Sequence, residues 1–229
     1  TTAGGNITIA GTGAYSGAGT LNANGNVTVS TASFAGTGAI TSAGANGIGI
    51  TATTGDASVG GALTANGPVS VTGANLSLAA GITVTPSTTA AILLKGSGDI
   101  LTSGTQTLST QGGNITFWSD SDANGSGRIG LDNNTTVTTS GGNITLAGGA
   151  DDGGSAVTAG RTSGDGLPDG YAAGNGSTSG CSAITGTIQG VYIGATVSLT
   201  SSGGDIFVAG KGLAGSTLNC ATGITVNTD

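Results

Sequence analysis

One pentapeptide, Gly-Gly-Asn-Ile-Thr, occupies residues 4–8, 112–116 and 141–145, and a near copy, Gly-Gly-Asp-Ile-Phe, occupies 203–207. Weaker relatives fall between them, at Asn24-Gly25-Asn26-Val27-Thr28, Gly67-Pro68-Val69-Ser70, Gly98-Asp99-Ile100-Leu101 and Gly223-Ile224-Thr225-Val226. A unit that recurs along a chain stacks on its own copies, so the fold grows along one axis and needs no central globular core. The same recurrence moves expectation away from enzymes and toward extended surfaces.

Each unit opens a short alternation. Ile7-Thr8-Ile9, Val27-Thr28-Val29, Val69-Ser70-Val71, Leu76-Ser77-Leu78, Ile82-Thr83-Val84, Val197-Ser198-Leu199 and Ile224-Thr225-Val226 all run apolar, polar, apolar. That is a short strand with one face turned inward. Asn26 follows Asn6 by 20 residues, and further starts at Gly47-Ile48 and Pro68-Val69 keep a similar step. Single apolar residues such as Leu21, Phe34, Ile40, Val59 and Leu63 lie between the starts. A coil of about 20 residues holding two or three short strands is one turn of a β-solenoid. Roughly ten coils at the interstrand spacing predict a rod about 45–50 Å long. A β-sandwich would need hairpins between longer strands, and these strands are short with regularly spaced glycine. The predicted fold is therefore all-β, one β-solenoid over 1–229. An Asn or Asp after the glycine is expected to bond its own turn and to form ladders between coils.

Composition agrees. Glycine supplies 48 of 229 residues, and it recurs just before the alternations, where tight turns belong. Helix formers other than Ala and Leu are scarce, while Thr, Val, Ile and Ser abound. All eleven acidic residues are aspartate, histidine and methionine are absent, and Lys95, Lys211, Arg128 and Arg161 are the only cations. A net charge of −7 argues against nucleic acid and anionic membrane surfaces as partners, since both need basic patches. No apolar run reaches the roughly 18 residues of a membrane span. With no initiator Met and a start inside a repeat, the chain is expected to be an internal or processed segment of something longer.

The pattern lapses twice. One break runs from Ser119 to Gly130, after Phe117-Trp118. The other is a long insertion over 148–190, rich in Gly, Ser and Asp. Loops of that length are functional or disordered, and in a solenoid they project from one face.

The repeated Gly-Gly-Asn-Ile-Thr units carry a resemblance, together with the Thr, Asn, Gly, Ala and Val richness. So does the run Ile115-Thr116-Phe117-Trp118-Ser119-Asp120-Ser121-Asp122 with Gly141-Gly142-Asn143-Ile144-Thr145-Leu146-Ala147-Gly148-Gly149. Over nearly its whole length the chain resembles filamentous-haemagglutinin-like large exoproteins of Gram-negative bacteria. That resemblance implies a right-handed parallel β-helix, export through a partner outer-membrane barrel, and a role in adhesion, aggregation or biofilm. The amino-terminal secretion domain of that family is not recognisable in these residues.

Candidate sites concentrate in the lapses. Asp120, Asp122 and Asn124, followed by Gly125, match the start of an oxygen-ligand calcium loop, with Asp132 beyond it. The competing reading is a solvated acidic turn, with Arg128 available to neutralise it. Asp151-Asp152, Asp165 and Asp169 offer paired carboxylates of the kind polysaccharide hydrolases use, or a second metal site, or an acidic loop. With no histidine and only Arg161 as a nearby base, the expectation is that the chain is not an enzyme. Arg161, Tyr171 and Trp118 are candidate ligand-binding residues for glycans, with packing of Trp118 beneath the following loop as the alternative. Cys181 and Cys220 are expected to form a disulfide in an oxidising compartment. Asn-X-Thr sequons at Asn6, Asn26, Asn114 and Asn143 arise from the turn-plus-strand repeat itself.

The leading expectation is a structural, adhesive segment of a secreted bacterial surface fibre that associates with itself by stacking and meets host or matrix glycans. A carbohydrate-binding module using the 148–190 loop is the alternative, and a polysaccharide-degrading enzyme and a Thr-based ice binder stand behind it.

Overall fold

The computed structural model describes residues 5–154, 161–175, 188–213 and 221–226. The chain is a right-handed parallel β-helix with no helical element among the described residues. Each full coil has three short strands, and each strand joins one of three sheets that run the length of the molecule.

The first sheet holds β1 (Ile7–Ala10), β4 (Val27–Thr31), β7 (Ile48–Ala52), β10 (Val69–Gly73), β13 (Ile92–Gly96), β16 (Ile115–Ser119), β19 (Ile144–Gly148) and β23 (Ile206–Val208). The second holds β2 (Tyr15–Gly17), β5 (Phe34–Gly36), β8 (Ala57–Val59), β11 (Leu76–Leu78), β14 (Ile100–Thr102), β17 (Ile129–Leu131), β21 (Val191–Ile193) and β25 (Ile224–Val226). The third holds β3 (Leu21–Ala23), β6 (Ile40–Ser42), β9 (Leu63–Ala65), β12 (Ile82–Val84), β15 (Gln106–Ser109), β18 (Thr135–Thr138) and β22 (Ser198–Thr200). The lone apolar residues between the repeat starts belong to the second and third sheets. All strand pairings in these sheets are parallel, which excludes the sandwich.

Among the described residues, eight strands in the first sheet mean eight coils, fewer than the ten expected, and at about 4.8 Å per step they span about 34 Å. The shortfall comes from unequal coils. Register partners Ile7 and Val27 lie 20 residues apart, Ile115 and Ile144 lie 29 apart, and Ile144 and Ile206 lie 62 apart.

Unbroken columns of apolar side chains fill the narrow interior. Val27, Ile48, Val69, Ile92, Ile115 and Ile144 stack in register and are essentially inaccessible to water, as are Val29, Ile50, Val71, Leu94, Phe117 and Leu146 beside them. Burial of each such side chain contributes about 1.5–3 kcal/mol. Near the first coils two aromatics stack in the lumen, with the rings of Tyr15 and Phe34 at 5.1 Å and 4°. Each ring fills the space of the next inward position, so Gly17 and Gly36 follow them; a Cβ at either would strike its ring.

The repeat motif staples one coil to the next. Asn6 Oδ1 accepts the main-chain N–H of Asn26 at 2.8 Å, Asn26 Oδ1 that of Asn46 at 3.0 Å, Asn114 Oδ1 that of Asn143 at 2.8 Å, and Asn143 Oδ1 that of Asp205 at 2.8 Å. These side chains therefore bond the equivalent backbone of the neighbouring coil, where sequence reasoning placed one bond within their own turn. A second such series runs along the next corner. Asp56 there accepts from Asn75 N, Asn75 from Asp99 N, and Asp99 from Arg128 N.

The two glycines have separate reasons. Gly112, Gly141 and Gly203 have φ of 113°, 122° and 125°, backbone that side chains rarely adopt. Gly113, Gly142 and Gly204 have ordinary φ, but a Cβ on any of them would run into a carbonyl of the preceding coil. A side-chain hydroxyl, buried at Thr110 and Thr139 and half-buried at Ser201, completes the turn. Thr110 Oγ1 donates to Gly113 O at 2.5 Å, Thr139 to Gly142 O, and Ser201 to Gly204 O at 2.5 Å.

Candidate functional site

Departures from the coil occur at one corner. Between the first and second sheets the chain inserts 120–128 in the sixth coil, 149–190 in the seventh and 209–223 in the eighth. The sequence showed the first two; the third, between Val208 and Ile224, was missed, although its signal was the long gap between two alternations. Because the three insertions leave consecutive coils at the same corner, they stack and pair with one another. Ala172–Ala173 (β20) pairs in parallel with Gly210–Lys211 (β24), and single antiparallel bridges join Gly127 to Ala173 and Gly148 to Gly170.

The insertions cover the outer side of the first sheet. Strands β16 and β19 are buried at every residue, inward and outward alike. Phe117 points into the lumen and Trp118 points outward, yet Trp118 is only 5% exposed. Its indole Nε1–H donates to Gly149 O at 2.8 Å, and Lys95 Nζ sits 3.7 Å from its ring centroid. Trp118 is thus packed beneath the following loop and presents no open face to a glycan.

The first acidic turn is closed by its own backbone. Asp120, 4% exposed, accepts N–H bonds from Gly125 (3.0 and 3.2 Å) and Ser126 (3.3 Å). Burial raises the Asp120 carboxyl above its ordinary value, opposed by those amide donors and assisted by the charge of Asp122. Asn124 Nδ2 donates to Asp122 at 2.8 Å. Asp132 belongs to a different turn, past the second sheet, where it accepts from Gly104 N at 3.2 Å and Asn133 N at 2.7 Å. The four candidate calcium ligands are therefore divided between two turns, each carboxylate committed to local amides. Arg128, expected near these aspartates, pairs with Asp99 at 3.4 Å. Burial lowers the guanidinium's proton affinity and Asp99 partly restores it. Asp99 also accepts from Asn175 Nδ2 at 2.6 Å, which ties Asn175 of the second insertion to the fifth coil.

The long insertion gathers three carboxylates. Asp151, Asp165 and Asp169 each bring an oxygen within 4.8 Å of the others. Asp151 accepts from the amides of Gly164 (2.5 Å), Gly166 (2.8 Å) and Asp165 (3.3 Å), and these donors hold its carboxyl below the ordinary value. Asp169 is fully buried, accepts from Gly153 N at 2.7 Å and pairs with Arg161 Nε at 3.4 Å. Their observed work is to fold the loop on itself. Cys181 and Cys220 lie outside the described residues.

Arg161 leads to a cleft. Its guanidinium lies over the Phe207 ring, 4.4 Å from the centroid, and donates to Pro168 O at 3.0 Å. Between this arm and the first sheet is a cleft of about 350 Å³. It is lined by Asn114, Asn143, Thr145 and Asp205 from the coils and by Arg161 and Leu167 from the insertion, with Ile206 and Phe207 alongside. Of the three predicted ligand-binding residues only Arg161 lines this cleft; Tyr171, half-buried, and Trp118 do not. The staple residues Asn114, Asn143 and Asp205 lie in it, although their place in the repeat had marked them as purely structural.

Comparison with family models, with curated proteins and with solved structures returns no match.

Proposed function

We propose that the chain is a stiff segment of a secreted bacterial surface fibre, of the filamentous-haemagglutinin-like kind, and that it serves adhesion or aggregation by carrying contact loops along a rod. One observation carries this reading: three sheets and their apolar columns run through seven coils, and the first two continue into the last described strands, β23 and β25. Ile206, Ile224 and Val226 there are 45%, 43% and 61% exposed. The side chains that fill the lumen elsewhere stand open at that end, as they would where another coil continues the column. Strand edges of this kind pair readily with further strands. A solenoid bends little because its hydrogen-bond ladders run along its axis, and loops gathered at one corner all face the same side.

The location follows from the same reading, which puts the segment outside the cell. Immunogold electron microscopy of intact source cells, with antibody raised against this chain, tests it. Label along extracellular filaments or the outer surface is the expected result. Label confined to the cytoplasm would overturn the proposal.

A further inference from the structure

From the cleft beside Arg161 we infer a binding site for a neutral saccharide, a function distinct from the stiffness of the rod. Three residues at the same position of consecutive coils form one wall: Asn114, Asn143 and Asp205. Each asparagine spends its Oδ1 on the next coil's amide. That leaves both side-chain NH₂ groups as donors with no partner among the described residues, and the Asp205 carboxylate likewise has none. Successive coils stand about 4.8 Å apart, so the wall offers two donors and then an acceptor along a line. Arg161 and Leu167 form the opposing wall. The contact of Arg161 with Phe207 and its pairing with Asp169 hold that arm in place.

The chemistry selects the ligand. Fixed hydrogen-bond donors and an acceptor beside apolar Leu167 and Phe207 suit a ring with hydroxyls on its rim and C–H groups on its face. An anionic ligand would meet the unpaired Asp205 carboxylate, while the Arg161 charge is already shared with Asp169. A cationic ligand would meet Arg161. The volume of about 350 Å³ is at the small end of ligand sites, which fits one or two sugar rings of a chain lying along the first sheet. The site is compatible with stacking, because a carboxylate has two oxygens and a following coil would engage only one.

Isothermal titration of the whole chain with neutral trisaccharides (maltotriose, cellotriose, mannotriose and chitotriose), with a heparin fragment as the anionic arm, tests the inference. Asn143→Asp keeps the Oδ1 staple and removes the donor, and Asp205→Asn keeps the shape and removes the charge. Saturable binding of at least one neutral trisaccharide is expected, weakened about tenfold or more by each substitution, with the thermal midpoint of the variants unchanged. Three results would overturn the inference: no binding of any neutral trisaccharide, equal binding by both variants, or binding of heparin alone. None of them bears on where the protein resides, so the fibre reading is judged separately by the immunogold label.

Discussion

At the residue scale, the repeat motif is a joint between coils. In Gly-Gly-Asn the first glycine supplies a positive φ, the second removes a side chain where two backbones meet, and the asparagine reaches across to the next amide. The buried Thr, or half-buried Ser, before them bonds back over the turn, so the effective unit is longer than the pentapeptide: Thr110 to Asn114, Thr139 to Asn143, Ser201 to Asp205. That hydroxyl is visible in the sequence but looks like any other Thr, because only burial distinguishes it. The two kinds of glycine make a sharp prediction. Gly142→Ala drives a methyl into Gly113 O and should destabilise the fold by more than about 2 kcal/mol. Gly49 faces outward between Thr28 and Ser70 with nothing near its missing side chain, so Gly49→Thr should stabilise by up to about 1 kcal/mol. Urea denaturation of the two variants measures both signs; equal effects would mean that coil contact does not decide where glycine is required.

At the element scale, the three insertions behave as one unit laid on the first sheet. Their existence was half legible. A lapse in periodicity marks where a loop begins, as at Ser119 and Gly148, but not which loops will touch, since that depends on all three leaving at the same corner of successive coils. For the same reason the aspartates looked like one ligand set: Asp120 and Asp132 are close in sequence, yet a strand of the second sheet separates their turns. Asp120 gives this unit a pH signature. Its carboxyl is raised by burial in the folded chain, so the folded state holds the proton more tightly than the unfolded one. Above the raised value both states are ionised and the burial penalty is complete; as pH falls through it toward the ordinary carboxylate value, that penalty is lifted. The stability of the parent chain relative to Asp120→Asn should therefore improve as pH falls through this window. Chemical denaturation of both proteins across acidic pH checks it, and a parent stability that falls or stays flat relative to the variant as pH drops would place Asp120 in a better-solvated setting than its burial implies. Asp151, held low by the amides of Gly166, Gly164 and Asp165, works in the opposite sense, with its stabilising contribution lost as pH falls below the ordinary value toward its depressed one.

At the scale of the whole molecule, the architecture was legible because a solenoid writes its period directly into the chain. The alternations at Ile7, Val27, Val69 and Ile82 are strands as read, and the parallel pairing follows from their stacking. The number of coils was not legible, because inserted residues lengthen the chain without lengthening the rod. The cleft was not legible either: Asn143 and Asp205 come together with Arg161 only when the 62-residue seventh coil closes and returns the chain to the first sheet. The proposed fibre role turns on whether the apolar columns left open at Ile206, Ile224 and Val226 take a further coil, and we propose that a second copy can supply it. Electron microscopy of the purified chain over a range of concentrations tests that most directly. Thin filaments of uniform width, with an axial repeat built from the interstrand spacing of about 4.8 Å, are the predicted result. Separate rods about 34 Å long at every concentration would contradict it.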